Sequence, residues 1–312
     1  MVKLILKRIV SLPFVILSIT FITFIVGYLA PGDPILNMMG QHHDVNIYNQ
    51  LRHVYGLDLP WYQQYLNYLT QLAHGNLGLS FRFQGRAVWD LIGNGAAVSL
   101  SLGLAALITS LVVGIPIGIL AALRQNSIFD RGSMGTMLAL YSIPSFVLIP
   151  VLQWVNYQLY IHHLPSLPVA GWGGLQYWIL PVIVLAAANI GYLARLTRSS
   201  MLEVLRQDYI RTAYAKGLPP ARIRWTHAFR NAMLPIVTVV GPSIAFLVTG
   251  AFVVENLFAI PGIGFVSIQA ISQRDYPVIQ GTTVLLAVAV VVMNLITDIL
   301  YVVLDPRVSV EA

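Results

Sequence analysis

The chain has 312 residues, 57% of them hydrophobic and only 10% charged, with 18 Lys and Arg against 12 Asp and Glu. Soluble domains carry about 25% charged residues, so this composition excludes an ordinary soluble enzyme and points to a membrane protein. There is no cysteine, which excludes disulfide and thiolate chemistry.

The first apolar run, 9–30, holds 22 residues without a charge, behind a basic start at Lys3, Lys7 and Arg8. It exceeds the roughly 7–15 residues of a signal-peptide core, and Pro31 stands where cleavage would fall, so it reads as a retained helix. Residues 31–95 form a polar insertion. Within it "LPWYQQYLNYLTQLA" (59–73) puts Trp61, Tyr65, Leu69 and Leu72 on one helical face, with Pro60 at the first turn. This insertion is expected to cap the outer membrane face.

Residues 96–123 are 28 without a charge. Within them, Gly114 and Gly118 form a small-xxx-small pair suited to close helix packing. Residues 132–194 contain no charge and are broken by "HHLPSLPVAGWGG" (162–174), giving two spans near 134–160 and 177–195. A fifth span falls at 231–254 and a sixth at 278–304. About 20 apolar residues cross a hydrocarbon core of roughly 30 Å. Such spans are helices, because in lipid the backbone must satisfy its own hydrogen bonds. The fold class expected is therefore an all-α membrane protein with six transmembrane helices.

Orientation follows from the basic residues. With both termini inside, only Arg52, Arg82, Arg86 and Arg274 lie outside, leaving 14 of the 18 on the cytosolic side. The net charge of +6 is thus explained by the positive-inside bias and needs no nucleic acid.

Catalytic motifs are absent. None of the three lysines stands in a phosphate-binding loop, and there is no zinc-protease or nucleophile-elbow pattern. The pairs His42/His43 and His162/His163 could meet a metal, but the plainer reading is loop or headgroup-level side chains. No metal site and no cofactor in this chain are expected. Asn294 and Asp298 are the candidate intramembrane polar residues; a buried acid can serve a proton relay, or bond a neighbouring helix. The loop 255–277 is too apolar to float in water and is expected to pack against the helices.

The most informative segment is "DYIRTAYAKGLPPARIRWTHAFRNAMLP" (208–235), basic and set between two spans. Asp208 suits an N-cap. Tyr209, Ile210, Ala213 and Tyr214 share one face of a short helix over 209–216. Gly217 can end it in a left-handed conformation with Leu218 as the apolar partner, and Pro219 and Pro220 forbid continuation. A second helix is expected to restart at Ala221. A solvated basic connector needs neither this stop nor an aromatic face; a docking element for a cytosolic partner does.

The segment resembles the Glu-Ala-Ala loop of ABC-importer permeases. Here it reads Arg211-Thr212-Ala213, then Tyr214-Ala215-Lys216, Gly217, and later Leu234-Pro235. Arg211 replaces the glutamate, and the distance from Gly to Leu-Pro is longer than in the general pattern. Both departures are typical of the peptide/nickel branch. "PGDP" (31–34), "YGLDLPWYQQYLNYL" (55–69), "GNLGLSF" (75–81), "ENLFAIPGIG" (255–264) and "ILYVVLDPR" (299–307) agree with that branch in order, so the resemblance covers nearly the whole chain.

The resemblance implies a type I ABC-importer permease fold with a small extracytoplasmic insertion. Residues 1–95 would hold the first helix and the insertion, 96–305 a five-helix core with a coupling loop at 203–232, and 306–312 a cytosolic tail. It implies a non-catalytic subunit in a bacterial or archaeal cytoplasmic membrane. Its partners would be a second homologous permease, two cytosolic ATPases that bind ATP and Mg, an extracytoplasmic substrate-binding protein and the lipid bilayer. Coupling to the ATPases would fall on Tyr209, Arg211, Thr212, Ala213, Tyr214, Lys216, Gly217 and Leu218, with Ala213 against the ATPase and Arg211 and Lys216 at the rim. Glu255, Asn256, Pro261 and Gly262 are candidates for an outer gate or a binding-protein contact. The cargo expected is di- or oligopeptide. Nickel or another small solute would keep the architecture, and a proton-coupled secondary transporter is the alternative from another class.

Overall fold

The computed structural model describes residues 2–39, 44–83 and 85–304, and no strand occurs among them. The His42/His43 pair and the 306–312 tail lie outside them, as do the side chains of residues 240–250 and of Asp298.

The apolar runs are helices. In chain order these are α1 (Val2–Leu29), α2 (Pro34–Met39), α3 (Val45–Val54), α4 (Trp61–Ala73), α5 (Val88–Leu123), α6 (Ile128–Ser142), α7 (Ser145–Ile161) and α8 (Ile179–Leu205). Then come α9 (Asp208–Ala215), α10 (Pro220–Arg222), α11 (Arg230–Leu257), α12 (Ile263–Gln273) and α13 (Tyr276–Leu304). Four helical segments, at Val10–Leu29, Val88–Leu123, Leu175–Leu205 and Tyr276–Thr297, are long and apolar enough to cross a membrane. The 28-residue α11 carries the segment expected as the fifth span.

The expected single span at 134–160 is corrected. It is two helices, α6 and α7, bent by 107° at a short break. Pro144 offers no N–H and crowds Ile143 out of the helical region, to φ −80° and ψ 118°. The chain is therefore extended at 143–144 and turns helical again at Ser145.

The chain divides into two compact units, one of residues 1–4, 100–260 and 292–312, the other of residues 5–99 and 261–291. In the first, α8 is the central helix. It packs against α6, α7 and α11 and buries Leu193, Ala194 and Thr197. Its contact with α5 depends on the glycine pair: a Cβ at Gly118 would lie 2.5 Å from the Ala194 carbonyl oxygen, and one at Gly114 3.1 Å from that of Ile190. Backbones this close permit only small residues. Asp130, 2% exposed, ties α6 to α8 through a two-pronged ion pair with Arg198, at 2.6 Å to Nε and 2.7 Å to Nη2.

In the second unit α4 packs along α1. The Tyr65 ring meets Phe21 and Phe24 with centroids 5.5 and 5.2 Å away, and its hydroxyl donates to the Leu17 carbonyl at 3.2 Å. The insertion thus runs beside α1 rather than resting only on its end. Pro60 is the N-cap of α4, one position before the first turn, and Trp61 is exposed. The expected packing of the 255–277 loop takes the form of α12, whose Ala270 joins Leu77, Val88, Ile92 and Val278 in a small core.

Candidate functional site

The basic segment begins where α8 stops at Leu205. Gln207, extended at φ −70° and ψ 149°, caps the next helix. This corrects the expectation for Asp208, which is the first helical residue and contacts Arg211 at 3.5 Å. An acid there still opposes the helix dipole favourably.

The helix is short, so its stability depends on packing. Ile210 and Ala213 are 1% and 7% exposed and enter a core with Ile119, Ala122, Met201, Ile223, Ala228 and Ala232. Burying one such isoleucine side chain contributes about 1.5–3 kcal/mol. The C-terminus closes as the sequence predicts. Gly217 adopts φ +72°, its N–H donates to Tyr214 at 2.9 Å, and the Leu218 N–H donates to Ala213 at 3.3 Å. These two bonds form a Schellman cap, and Leu218 packs against the same core.

One expectation is overturned. Ala213 faces this chain's own core and offers no surface to a partner. Period 3.6 places 210 and 213 inward, with Tyr209 and Tyr214 to either side. The outward face includes Tyr209, Arg211, Thr212, Tyr214 and Lys216, with Asp208 and Ala215 also exposed. Tyr209 and Tyr214 are 43% and 49% exposed, and the Asn231 amide donates to the Tyr209 hydroxyl at 2.8 Å. Two aromatic rings among cationic rims, on a helix fixed from behind, form a surface suited to a protein partner.

Beyond Pro219 the chain resumes as α10, starting at Pro220 rather than Ala221, and passes through a π-helical segment, Ile223–Phe229, into α11. Wide turns of this kind often mark functional sites. Ile223 and Ala228 are buried there, whereas Trp225 is 57% exposed and meets Phe229 edge-on at 5.4 Å. Trp225 is a further exposed aromatic ring of the basic segment; its place beside Arg224 was the available signal.

The residues named for an outer gate separate by burial. Glu255 is fully buried, whereas Asn256 and Pro261 are exposed. Around Glu255, the Phe258 carbonyl accepts from the Gly171 N–H at 2.7 Å, and the Leu257 carbonyl accepts from Gln153 at 3.3 Å. Gly262 is buried and caps α12. A Cβ at Gly95 would lie 3.1 Å from its carbonyl carbon, and the Ile263 N–H donates to Ser99 at 2.8 Å.

Asp275 was missed. It is 2% exposed, and its carboxylate accepts from Ser80 Oγ at 2.5 Å, the Phe81 N–H at 3.0 Å and the Arg82 N–H at 3.2 Å. It fastens the 80–83 turn to the α12–α13 junction. No local pattern joins residues 195 apart. Asn294 is half-buried on α13, one turn before Asp298. His162 and His163 are exposed, and no group of metal-ligating side chains occurs among the described residues.

Comparison with known proteins agrees with this architecture. The family model described as the binding-protein-dependent transport system inner membrane component matches residues 114–310, and its N-terminal counterpart matches 1–103. The dipeptide transport system permease protein of Bacillus subtilis is 39% identical over 311 residues, covering 100% of this chain and 99% of its own. The di/tripeptide transport system permease protein of Pseudomonas aeruginosa is 40% identical over 93% of this chain and 94% of its own. The oligopeptide transport system permease protein of Escherichia coli is 38% identical over 99% of each. Among solved structures, the inward-facing MetNI methionine ABC transporter matches with a TM-score of 0.55 at 19% identity, covering 69% of this chain and 96% of that one. At that identity the likeness concerns the fold, which is that of type I ABC-importer permeases. With a family model over more than half its length and full-length relatives near 40% identity, the chain belongs to the binding-protein-dependent transport-system inner-membrane components, the non-catalytic multi-pass permease subunits of ABC importers.

Proposed function

We propose that the chain is one of two permeases of a peptide importer, and that a cytosolic ATPase docks on the outward face of α9. The observation that carries this reading is the seating of α9: Ile210 and Ala213 fix it from behind while Tyr209, Arg211, Thr212, Tyr214 and Lys216 face out. A helix held this way transmits a push to α5, α8 and α11, whose ends share its core. ATP and Mg bind the partner ATPases, whose closure draws the coupling helices together and opens the permease outward. An extracytoplasmic binding protein delivers the peptide. Both termini are cytosolic, and Asn256 and Pro261 belong to the outer mouth. The peptide cargo follows the full-length relatives, which are dipeptide, di/tripeptide and oligopeptide permeases.

Two experiments test the reading. Proteoliposomes containing the chain and its partners should take up a dipeptide with ATP on the α9 side, and collapse of the proton gradient should leave uptake intact. Uptake without ATP that stops with a protonophore would favour a secondary carrier. In the cysteine-free background, Asn46→Cys should react with an impermeant thiol reagent in intact cells and Gln207→Cys should not; the reverse pattern overturns the orientation.

A further inference from the structure

One compact unit, residues 5–99 with 261–291, holds a half-open cavity of about 850 Å³. That is the size of a small-molecule site, roughly 300–1,000 Å³. We propose that this cavity binds a short zwitterionic peptide, a resting place between the insertion and the ends of α1 and α13; the physiological identity of that ligand rests on the peptide-import reading above.

The chemistry of the walls carries the assignment. Phe24, Leu77 and Tyr276 supply apolar surface. Gln64, Asn67, Gln71 and Gln280 line the cavity with carboxamides, which match the donors and acceptors of a peptide backbone. Tyr68 also lines it, and its hydroxyl is buried without a hydrogen bond inside the chain. A buried hydroxyl left unpaired costs about 1–3 kcal/mol, which a ligand carbonyl or amide would relieve.

Two charges complete the set. Asp33 and Arg52 both line the cavity and are bridged by a single hydroxyl. Tyr48 donates to Asp33 Oδ2 at 2.5 Å and accepts from Arg52 Nη1 at 3.5 Å. Arg52 also donates to the Leu57 carbonyl at 3.0 Å, which fixes its fork and leaves other N–H donors for a carboxylate. An anion and a cation this close match the two ends of a dipeptide, about 7 Å for two extended residues. A lipid phosphate would find Arg52, but would also meet the Asp33 carboxylate and a wall of amides.

The test uses the full chain in nanodiscs of phosphatidylethanolamine and phosphatidylglycerol. Asn67→Cys places the only thiol in the cavity wall, and its labelling by an impermeant maleimide is timed. Ala-Ala should slow labelling saturably. N-acetyl-Ala-Ala-amide, lacking both charges, should need about tenfold more, the loss of one charge-assisted contact. Adding Arg52→Gln should raise the half-protective concentration of Ala-Ala by a similar factor, and Tyr68→Phe by about threefold. The blocked peptide acts on the Asn67→Cys protein alone, so that comparison survives any misfolding of the other variants. Equal protection by free and blocked peptide, none by either, or protection by dihexanoyl phosphatidylcholine instead would overturn the proposal. If reconstituted uptake proceeds while Ala-Ala gives no protection, the cavity assignment fails and import stands. If uptake fails while protection is saturable, the import reading fails and the site stands.

Discussion

Two segments that join long helices, the basic 208–235 and the apolar 255–277, make opposite use of their charged side chains. The basic segment turns Arg211 and Lys216 outward and buries Ile210 and Ala213. The segment 255–277 turns its acids inward, with Glu255 fully buried and Asp275 2% exposed. An exposed charge on a rigid helix contributes little to stability and is available for recognition. A buried carboxylate that accepts several hydrogen bonds is a fastening, and losing it leaves its donors stranded. Burial, rather than residue type, separates a face left open to a partner from the clasp that holds the fold.

If that contrast holds, the largest stability effect belongs to the inward acid. Asp275→Ala strands the Ser80 hydroxyl and two backbone amides, and should destabilise the 80–83 turn by about 2–4 kcal/mol. Hydrogen exchange at residues 80–83 would show it, with exchange at α9 unchanged. A comparable loss is expected for Ala213→Arg, for a reason opposite to partner docking. The new cation enters the chain's own core without a counter-charge and should unseat α9 at a cost of about 3 kcal/mol. Accelerated exchange across 208–218 would report it in the absence of any ATPase. If α9 exchange is unchanged and only ATPase binding is lost, Ala213 faces the partner after all.

Gly217→Val tests the cap alone. A Cβ there meets nothing within 4 Å, so the penalty is backbone strain, roughly 1–2 kcal/mol at φ +72°. The spans should insert normally while ATPase binding and uptake fall severalfold. Gly217→Asn, which tolerates the left-handed region better, should restore most of both. The smallest effects belong to Arg211→Ala and Lys216→Ala, within about 0–1 kcal/mol of ATPase affinity in a pull-down. A larger loss at either would show a buried charge pair in the assembled interface.

What the sequence made legible followed distance along the chain. The end of α9 was readable because Gly217, Leu218, Pro219 and Pro220 act on their immediate neighbours. That α5 approaches another helix closely was readable because Gly114 and Gly118 lie on one face; that the partner is α8 was not. The break in α6–α7 depends on Pro144 alone, and the charge-free stretch around it gave no reason to divide the span. Direction of burial was the weak point. Four apolar residues, Tyr209, Ile210, Ala213 and Tyr214, read as one face, and only packing separates the inward pair from the outward one. The Asp130–Arg198 and Asp275–Ser80 links join residues 68 and 195 apart, beyond any local pattern.

The docking assignment is tested most directly by contact. The chain has no cysteine, so Tyr214→Cys and Ala213→Cys can each carry a single thiol-linked photo-crosslinker in the assembled transporter. Irradiation is followed by mass spectrometry of the adducts. The outward face predicts that position 214 crosslinks to the ATPase, whereas position 213 reacts only within its own chain. Absence of an ATPase adduct from position 214, with the transporter intact and turning over, would contradict the assignment of α9 as the coupling helix.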